Sequence, residues 1–238
     1  MEMGTMANTV DIGDITEEGV SPKDTVAAKD SYGGFGSTTF TSLDLEMNQP
    51  SGKIIQVGAV VGDVHTGVIL DKFRMFVRID EPLDDRIAAL CGITQEQLDH
   101  GVSLVEAYKQ LSAFHLKYGS VRGALTWGGD DSTYLLERVF AELGLAEPSP
   151  GQPMYDIMKA TSTPWVFGRR SFDVKTVFQA YAIANGMKPV SGLKKSCKKM
   201  GVLFDGPAHD AEKDALNTFK IFSKLIQLYR QTSPTASA

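Results

Sequence analysis

The chain has 238 residues, 42% of them hydrophobic and 22% charged, with a formal net charge of -5. That is enough chain for one sizeable α/β core. No apolar run reaches the roughly 18 residues of a membrane span, and the first 36 residues have neither the basic start nor the apolar stretch of a secretory signal. Cys91 and Cys197 are the only cysteines. They are too few and too far apart for a zinc site or a disulfide framework, so a reducing, cytoplasmic setting is the expectation.

The charge is unevenly spread. Residues 1–36 hold seven acids against Lys23 and Lys29, which leaves the remainder neutral. Between Lys159 and Lys199 there are nine bases and one acid, Asp173. Such a stretch could neutralise a phosphate backbone or simply be a solvated helix face.

Residues 1–37 are acidic, poor in aromatics and end in Tyr32-Gly33-Gly34-Phe35-Gly36-Ser37, which reads as a disordered N-terminal tail. Strand patterns follow at Thr39–Met47, Lys53–Asp63 and Val68–Ile79, the last two joined by the turn His65-Thr66-Gly67. Their short connections predict an antiparallel meander. A short helix spans Leu83–Cys91 and stops at Gly92. Ser103 caps a helix reaching about Tyr118, with Leu104, Ala107, Tyr108, Leu111 and Phe114 on one stripe. Val121–Trp127 returns as a strand. Helices are then expected at Ser132–Leu143, Phe172–Ala184, Gly192–Met200 and Asp210–Arg230, with residues 231–238 a flexible tail. Strands first, then helices with an interposed strand, make an α/β fold of mixed sheet and flanking helices.

Three segments carry candidate chemistry. Asp44 and Glu46 are one residue apart on a strand, so both leave the same face while Leu43 and Leu45 point into the core. Two adjacent carboxylates repel unless a cation lies between them. Asp131 follows two glycines at a strand end and precedes a helix; it could act at a site or cap that helix, and Asp130 is an equally acidic alternative. His209 and Asp214 are five apart, ~140° around a single helix. If the helix starts near Asp210, His209 hangs from the loop and Asp214 projects from the opening turns. A histidine placed so can take a proton at neutral pH.

Together these segments resemble the DEDDh family of 3'→5' exonucleases. Asp44-Leu45-Glu46 matches the Asp-x-Glu motif. Asp131, with Leu136 five residues on, matches the second motif, and His209 to Asp214 matches His-x4-Asp. Cys91-Gly92-Ile93-Thr94 looks like the segment after the third strand in that family. Thr126-Trp127-Gly128-Gly129-Asp130-Asp131 is similar to the ERI-like exoribonucleases, which favours Asp131 over Asp130.

The resemblance implies a ribonuclease H-like domain over residues 38–230. It also implies two Mg2+ or Mn2+ ions held by Asp44, Glu46, Asp131 and Asp214, with His209 as general base. Met47 and Leu98 become candidates to pack against the terminal nucleotide, and Lys194, Lys195 and Lys198 to follow the backbone. The expected activity is release of nucleoside monophosphates from single-stranded 3' ends, with RNA favoured. Single-stranded DNA degradation or proofreading, and a catalytically silent binding module, are the alternatives. No membrane partner is expected, and a homodimer stays open.

Overall fold

In the computed structural model, residues 37–145, 153–168 and 171–232 are described. The tails expected at the two ends lie outside these residues, except for Ser37, Gln231 and Thr232. No helix among the described residues is long and apolar enough to cross a membrane.

Five strands form one sheet: β1 (Thr39–Met47), β2 (Ile54–Asp63), β3 (Ile69–Phe76), β4 (Ala124–Thr126) and β5 (Phe172–Asp173). Their order is β3-β2-β1-β4-β5. The first three pair antiparallel, as the meander predicts. β4 and β5 extend the sheet in parallel from β1. The mixed α/β architecture expected from the sequence is the one observed.

The helices among the described residues are α1 (Asp85–Cys91), α2 (Gln95–Asp99), α3 (Leu104–Lys117), α4 (Asp131–Glu142), α5 (Pro153–Thr161), α6 (Val174–Ala184), α7 (Leu193–Met200) and α8 (Ala211–Thr232). Two differ from expectation by omission: α2 and α5 were not read from the sequence. The short α2 is held by a capping box in which Thr94 and Gln97 satisfy each other's backbone N–H, a pattern present in Thr94-Gln95-Glu96-Gln97. The helix expected from Phe172 starts at Val174 instead. Phe172 and Asp173 pair with β4, and Asp173 then caps α6 by accepting from the Lys175 N–H at 3.0 Å. The strand expected over Val121–Trp127 is only three residues long, and Gly128, with φ of +76°, turns the chain away beyond it.

β2 is the spine, buried along nine of its ten residues. Alternation sends its side chains to two cores. Leu43 and Leu45 join Val57, Ala59 and Val61 against Leu111, Leu135, Val139 and Trp165. On the other face, Val60 and Leu125 pack with Phe178, Phe219 and Phe222. Each fully buried Val, Leu or Phe among them contributes about 1.5–3 kcal/mol by leaving water.

α8 lies directly along β2. A Cβ on Gly58 would stand 2.1 Å from the Ala211 carbonyl carbon, and one on Gly62 would stand 2.5 Å from the Phe219 ring. Four strand residues advance about 13 Å and eight helical residues about 12 Å, so the two elements run side by side. Two glycines on one face of β2 let the helix touch the sheet backbone.

Candidate active site

Asp44 and Glu46 leave β1 on the α8 side, opposite the core-facing Leu43 and Leu45. In the β1–β2 register Asp44 faces Gly58 and Glu46 faces Gln56. The glycine leaves room for the start of α8. Gln56 fixes that start: its Oε1 accepts from the Ala211 N–H at 2.8 Å, in a buried contact.

Asp210 is the cap of α8, as its Oδ1 accepts from the N–H groups of Glu212 (3.1 Å) and Lys213 (3.3 Å). Its Oδ2 pairs with Arg74 Nη1 on β3 at 3.1 Å. The helix terminus is thus tied to both β2 and β3. One turn in, Asp214 Oδ2 accepts from the His209 backbone N–H at 2.9 Å. His209 itself adopts a left-handed φ of +62° and is exposed. The loop-then-helix geometry required for His209 and Asp214 to converge is therefore present. Carboxylate oxygens of Glu46 and Asp214 and a ring nitrogen of His209 all lie within 4.8 Å of one another.

The fourth acid enters from α4. Asp130 caps that helix, its Oδ1 accepting from the Thr133 N–H (3.1 Å) and Ser132 Oγ (2.9 Å) and its Oδ2 from Thr133 Oγ1 (2.7 Å). Asp131, the first helical residue, has no such duty.

The electrostatics are those of crowded, desolvated anions. Burial, then the charge of Asp131, then those of Glu46, Asp214 and Asp210, raise Asp44 well above the ordinary carboxylate range. Asp131 is pushed up to about 7 by burial and by Asp130. Glu46 is pushed up to about 7 by burial, against the hydrogen bond from Cys91. Asp214 is raised by burial, against the contacts from His209. Four carboxylates that all resist ionisation are stabilised as anions by a cation among them.

The residues present fit divalent ions on a further observation. Asp214 Oδ1 is buried and has no hydrogen-bond partner among the described residues. An all-oxygen donor set of this kind suits Mg2+ or Mn2+.

The other sequence candidates divide. Met47 is half-buried at the margin of the main core. Leu98 is wholly buried against Ile55 and Ile93. The expected contact with a terminal nucleotide would require this buried side chain to become accessible. Lys194, Lys195 and Lys198 are exposed on α7, whose other side buries Ser196, Cys197 and Met200. Lys194 Nζ lies 5.6 Å from the centre of the Phe204 ring.

Gly58, Gln56, Arg74, Asp210 and Cys91 were not found as site residues from the sequence. Cys91 donates its thiol to Glu46 Oε2 at 3.3 Å. Only Asp210 had a local signal, an Asp ahead of a helical pattern. The rest act across strands or between distant elements.

A five-residue acid-and-histidine cleft at the centre of a mixed sheet defines a candidate phosphodiester-cleaving site. Residues 40–121 match the RNase_T family model, described as Exonuclease. The fold is similar to the nuclease domain of 3'hExo, a DEDDh family member, bound to rAMP, at 21% identity and a TM-score of 0.62, covering 82% of this chain and 94% of that one. It is similar to S. pombe Pop2p in its Mg2+- and Mn2+-bound form, at 18% identity and 0.55, covering 84% and 85%. It is also similar to E. coli exonuclease I in complex with the oligonucleotide 5cy-dT13, at 14% identity and 0.55, covering 83% of this chain and 42% of that one. A comparison with curated proteins gave no match. The segment bearing Asp44 and Glu46 matches the exonuclease model that the motifs resemble, and the fold is that of the DEDDh 3'-exonuclease structures.

Proposed function

We propose that this chain is a metal-dependent 3'→5' exonuclease that releases nucleoside monophosphates from single-stranded 3' ends, RNA being the favoured substrate. The observation that carries this is the convergence of Asp44, Glu46, Asp131 and Asp214 from three separate elements, with the His209 ring at the lip.

Asp44, Glu46, Asp131 and Asp214 would hold two Mg2+ or Mn2+ ions. When bound, such ions polarise a phosphodiester and make an attacking water more acidic. The protein's own part is positional and protolytic. Asp214 ties down the backbone of His209, so the imidazole stands over the cleft and its ring nitrogen takes the proton from the attacking water. Cys91 orients Glu46 by its thiol hydrogen bond. Met47 flanks the carboxylates where a terminal nucleotide would lie, and Lys194, Lys195 and Lys198 offer charge to the strand behind it. A cytoplasmic location belongs to the same reading, since Cys91 makes its contact as a free thiol.

The test is cleavage of end-labelled RNA oligomers with Mg2+ or Mn2+. A 3' label should appear at once as mononucleotide, while a 5' label shortens stepwise. Asp44→Ala should abolish release, and His209→Ala should slow it by roughly 10²–10⁴-fold, the usual worth of a general base. Undiminished activity in both variants would sink the assignment. Faster loss of a single-stranded DNA oligomer would move the reading to DNA. Binding without cleavage by the unaltered chain would leave a silent binding module.

A further inference from the structure

The cleft contains two overlapping sets of ligands. One is the four carboxylates. The other is Glu46, His209 and Asp214, whose ligand atoms lie within 4.8 Å of one another. The second set replaces an oxygen with an imidazole nitrogen, and that changes which ion it prefers. Hard Mg2+ favours all-oxygen surroundings. Imidazole suits zinc, and mixed nitrogen and oxygen sites bind zinc more tightly than manganese.

Two further features favour such a site. Asp214 Oδ1 is buried without a hydrogen-bond partner among the described residues, while Oδ2 is held by the His209 backbone. The carboxylate is therefore oriented by the same residue that supplies the nitrogen. Zinc ligands at about 2.0–2.1 Å from the ion stand roughly 3.4 Å apart in a tetrahedron. The trio's ligand atoms lie within 4.8 Å of one another, wider than that spacing, and the His209 ring that would close the difference is exposed.

We propose that Glu46, His209 and Asp214 form an inhibitory zinc site overlapping the catalytic cleft. This rests on the reading of His209 as general base. Zinc bound there takes the lone pair that His209 would offer to a proton and occupies two of the four carboxylates. Asp131, outside the trio, contributes nothing to it. The chain would then work with hard ions and be silenced by a borderline one.

Calorimetric titration of Zn2+ alone, in magnesium-free buffer, separates the two ligand sets. The unaltered chain should bind one zinc ion. His209→Ala should weaken that binding at least tenfold, and Glu46→Gln should weaken it comparably. Asp131→Asn should leave it within about threefold. Titration with Mn2+ should show the opposite order, with Asp131→Asn weakened and His209→Ala nearly unchanged. Co2+ in place of zinc should give the intense visible absorption of a tetrahedral site, lost in His209→Ala.

Zinc binding indifferent to His209 overturns the proposal and leaves the nuclease reading intact, as does Mg2+-supported cleavage that persists with zinc saturating. His209-dependent zinc binding in a chain that cleaves no nucleic acid would support the site and defeat the nuclease reading.

Discussion

Asp130 commits both carboxylate oxygens to Ser132 and Thr133 at the start of α4. Burial works against its ionisation, yet those hydrogen bonds from Thr133 and Ser132 hold its pKa below the ordinary value. Asp131, one residue on, is raised to about 7 by burial and by the charge of Asp130. Adjacent identical residues thus have opposite electrostatics, one stabilised as an anion by hydrogen bonds and one disfavoured as an anion by burial and its neighbour's charge. Asp130→Ala should cost about 0.5–2 kcal/mol of stability, the worth of a helix cap, with cleavage per folded molecule within a few-fold of normal. Asp131→Asn should be near normal or better in stability and lose cleavage together with the thermal stabilisation given by Mg2+ or Mn2+. Chemical denaturation and the 3'-release assay read both, and the reverse pattern would transfer the metal role to Asp130. The likeness of Thr126–Asp131 to the ERI-like stretch favours Asp131, and the capping bonds of Asp130 are consistent with that choice.

Elements meet at this site through contacts between backbones. β2 contributes no carboxylate to the candidate site, yet its Gly58 and Gln56 decide where α8 begins. Gly58 admits the Ala211–Glu212 peptide, and Gln56 accepts from the Ala211 N–H. Because Gly58 lies opposite Asp44, the same close approach brings Asp214 and His209 over the strand acids. Gly58→Ala should therefore act on catalysis as well as folding, because the new Cβ meets backbone atoms that cannot rotate away. We expect a loss of about 1–3 kcal/mol, as for overpacking. A larger fall in kcat than Gly62→Ala causes is also expected, because that substitution strikes a ring and the β3 edge farther along the helix. Equal effects of the two substitutions on kcat would show that the approach at Gly58 does not set the site. A strand alternation of apolar residues reveals which face is buried. It does not reveal which helix covers that face, so Gly58 reads as an ordinary interruption of a strand until α8 is seen upon it.

At the scale of the whole molecule, long-range charge and global stability can be measured separately. Lys194, Lys195 and Lys198 project from α7 into solvent, and none pairs with a site carboxylate among the described residues. Replacing all three with alanine should weaken single-strand binding and reduce the salt slope by about 2, near 0.7 per phosphate contact. An unchanged slope would return α7 to the role of a solvated face. Stability should also carry a histidine signature. His115 is buried, its Nδ1 2.8 Å from Thr41 Oγ1, and burial pushes its pKa from 6.5 down to about 4. Between these values the unfolded chain binds the extra proton. Stability from this group is therefore full above pH 6.5, falls as the pH drops toward 4, and levels off below it. The total is about 3 kcal/mol. The site acids, with raised values, act in the opposite sense, so the measurement is the difference in unfolding free energy between the unaltered chain and His115→Gln. That difference should grow from pH 4 to pH 6.5, and a flat difference would refute the assignment.

Much of the outcome was written locally. Alternation along Thr39–Met47 placed Asp44 and Glu46 on one face and Leu43 and Leu45 on the other. Apolar spacing defined α3 and α4, and short connections set the antiparallel meander. The sequence by itself determined these because each depends on the period of one strand or helix and on residues close in the chain. It could not fix the burial of Leu98 under β2, the diversion of Phe172 and Asp173 into a fifth strand, or the anchoring of α8 by Gln56 and Arg74. Those depend on which surfaces meet after the chain has folded back on itself. Only tertiary structure also decided that one buried oxygen of Asp214, beside Glu46 and His209, has no hydrogen-bond partner among the described residues. Burial and close approach between distant elements produce that arrangement, and no local pattern encodes either one.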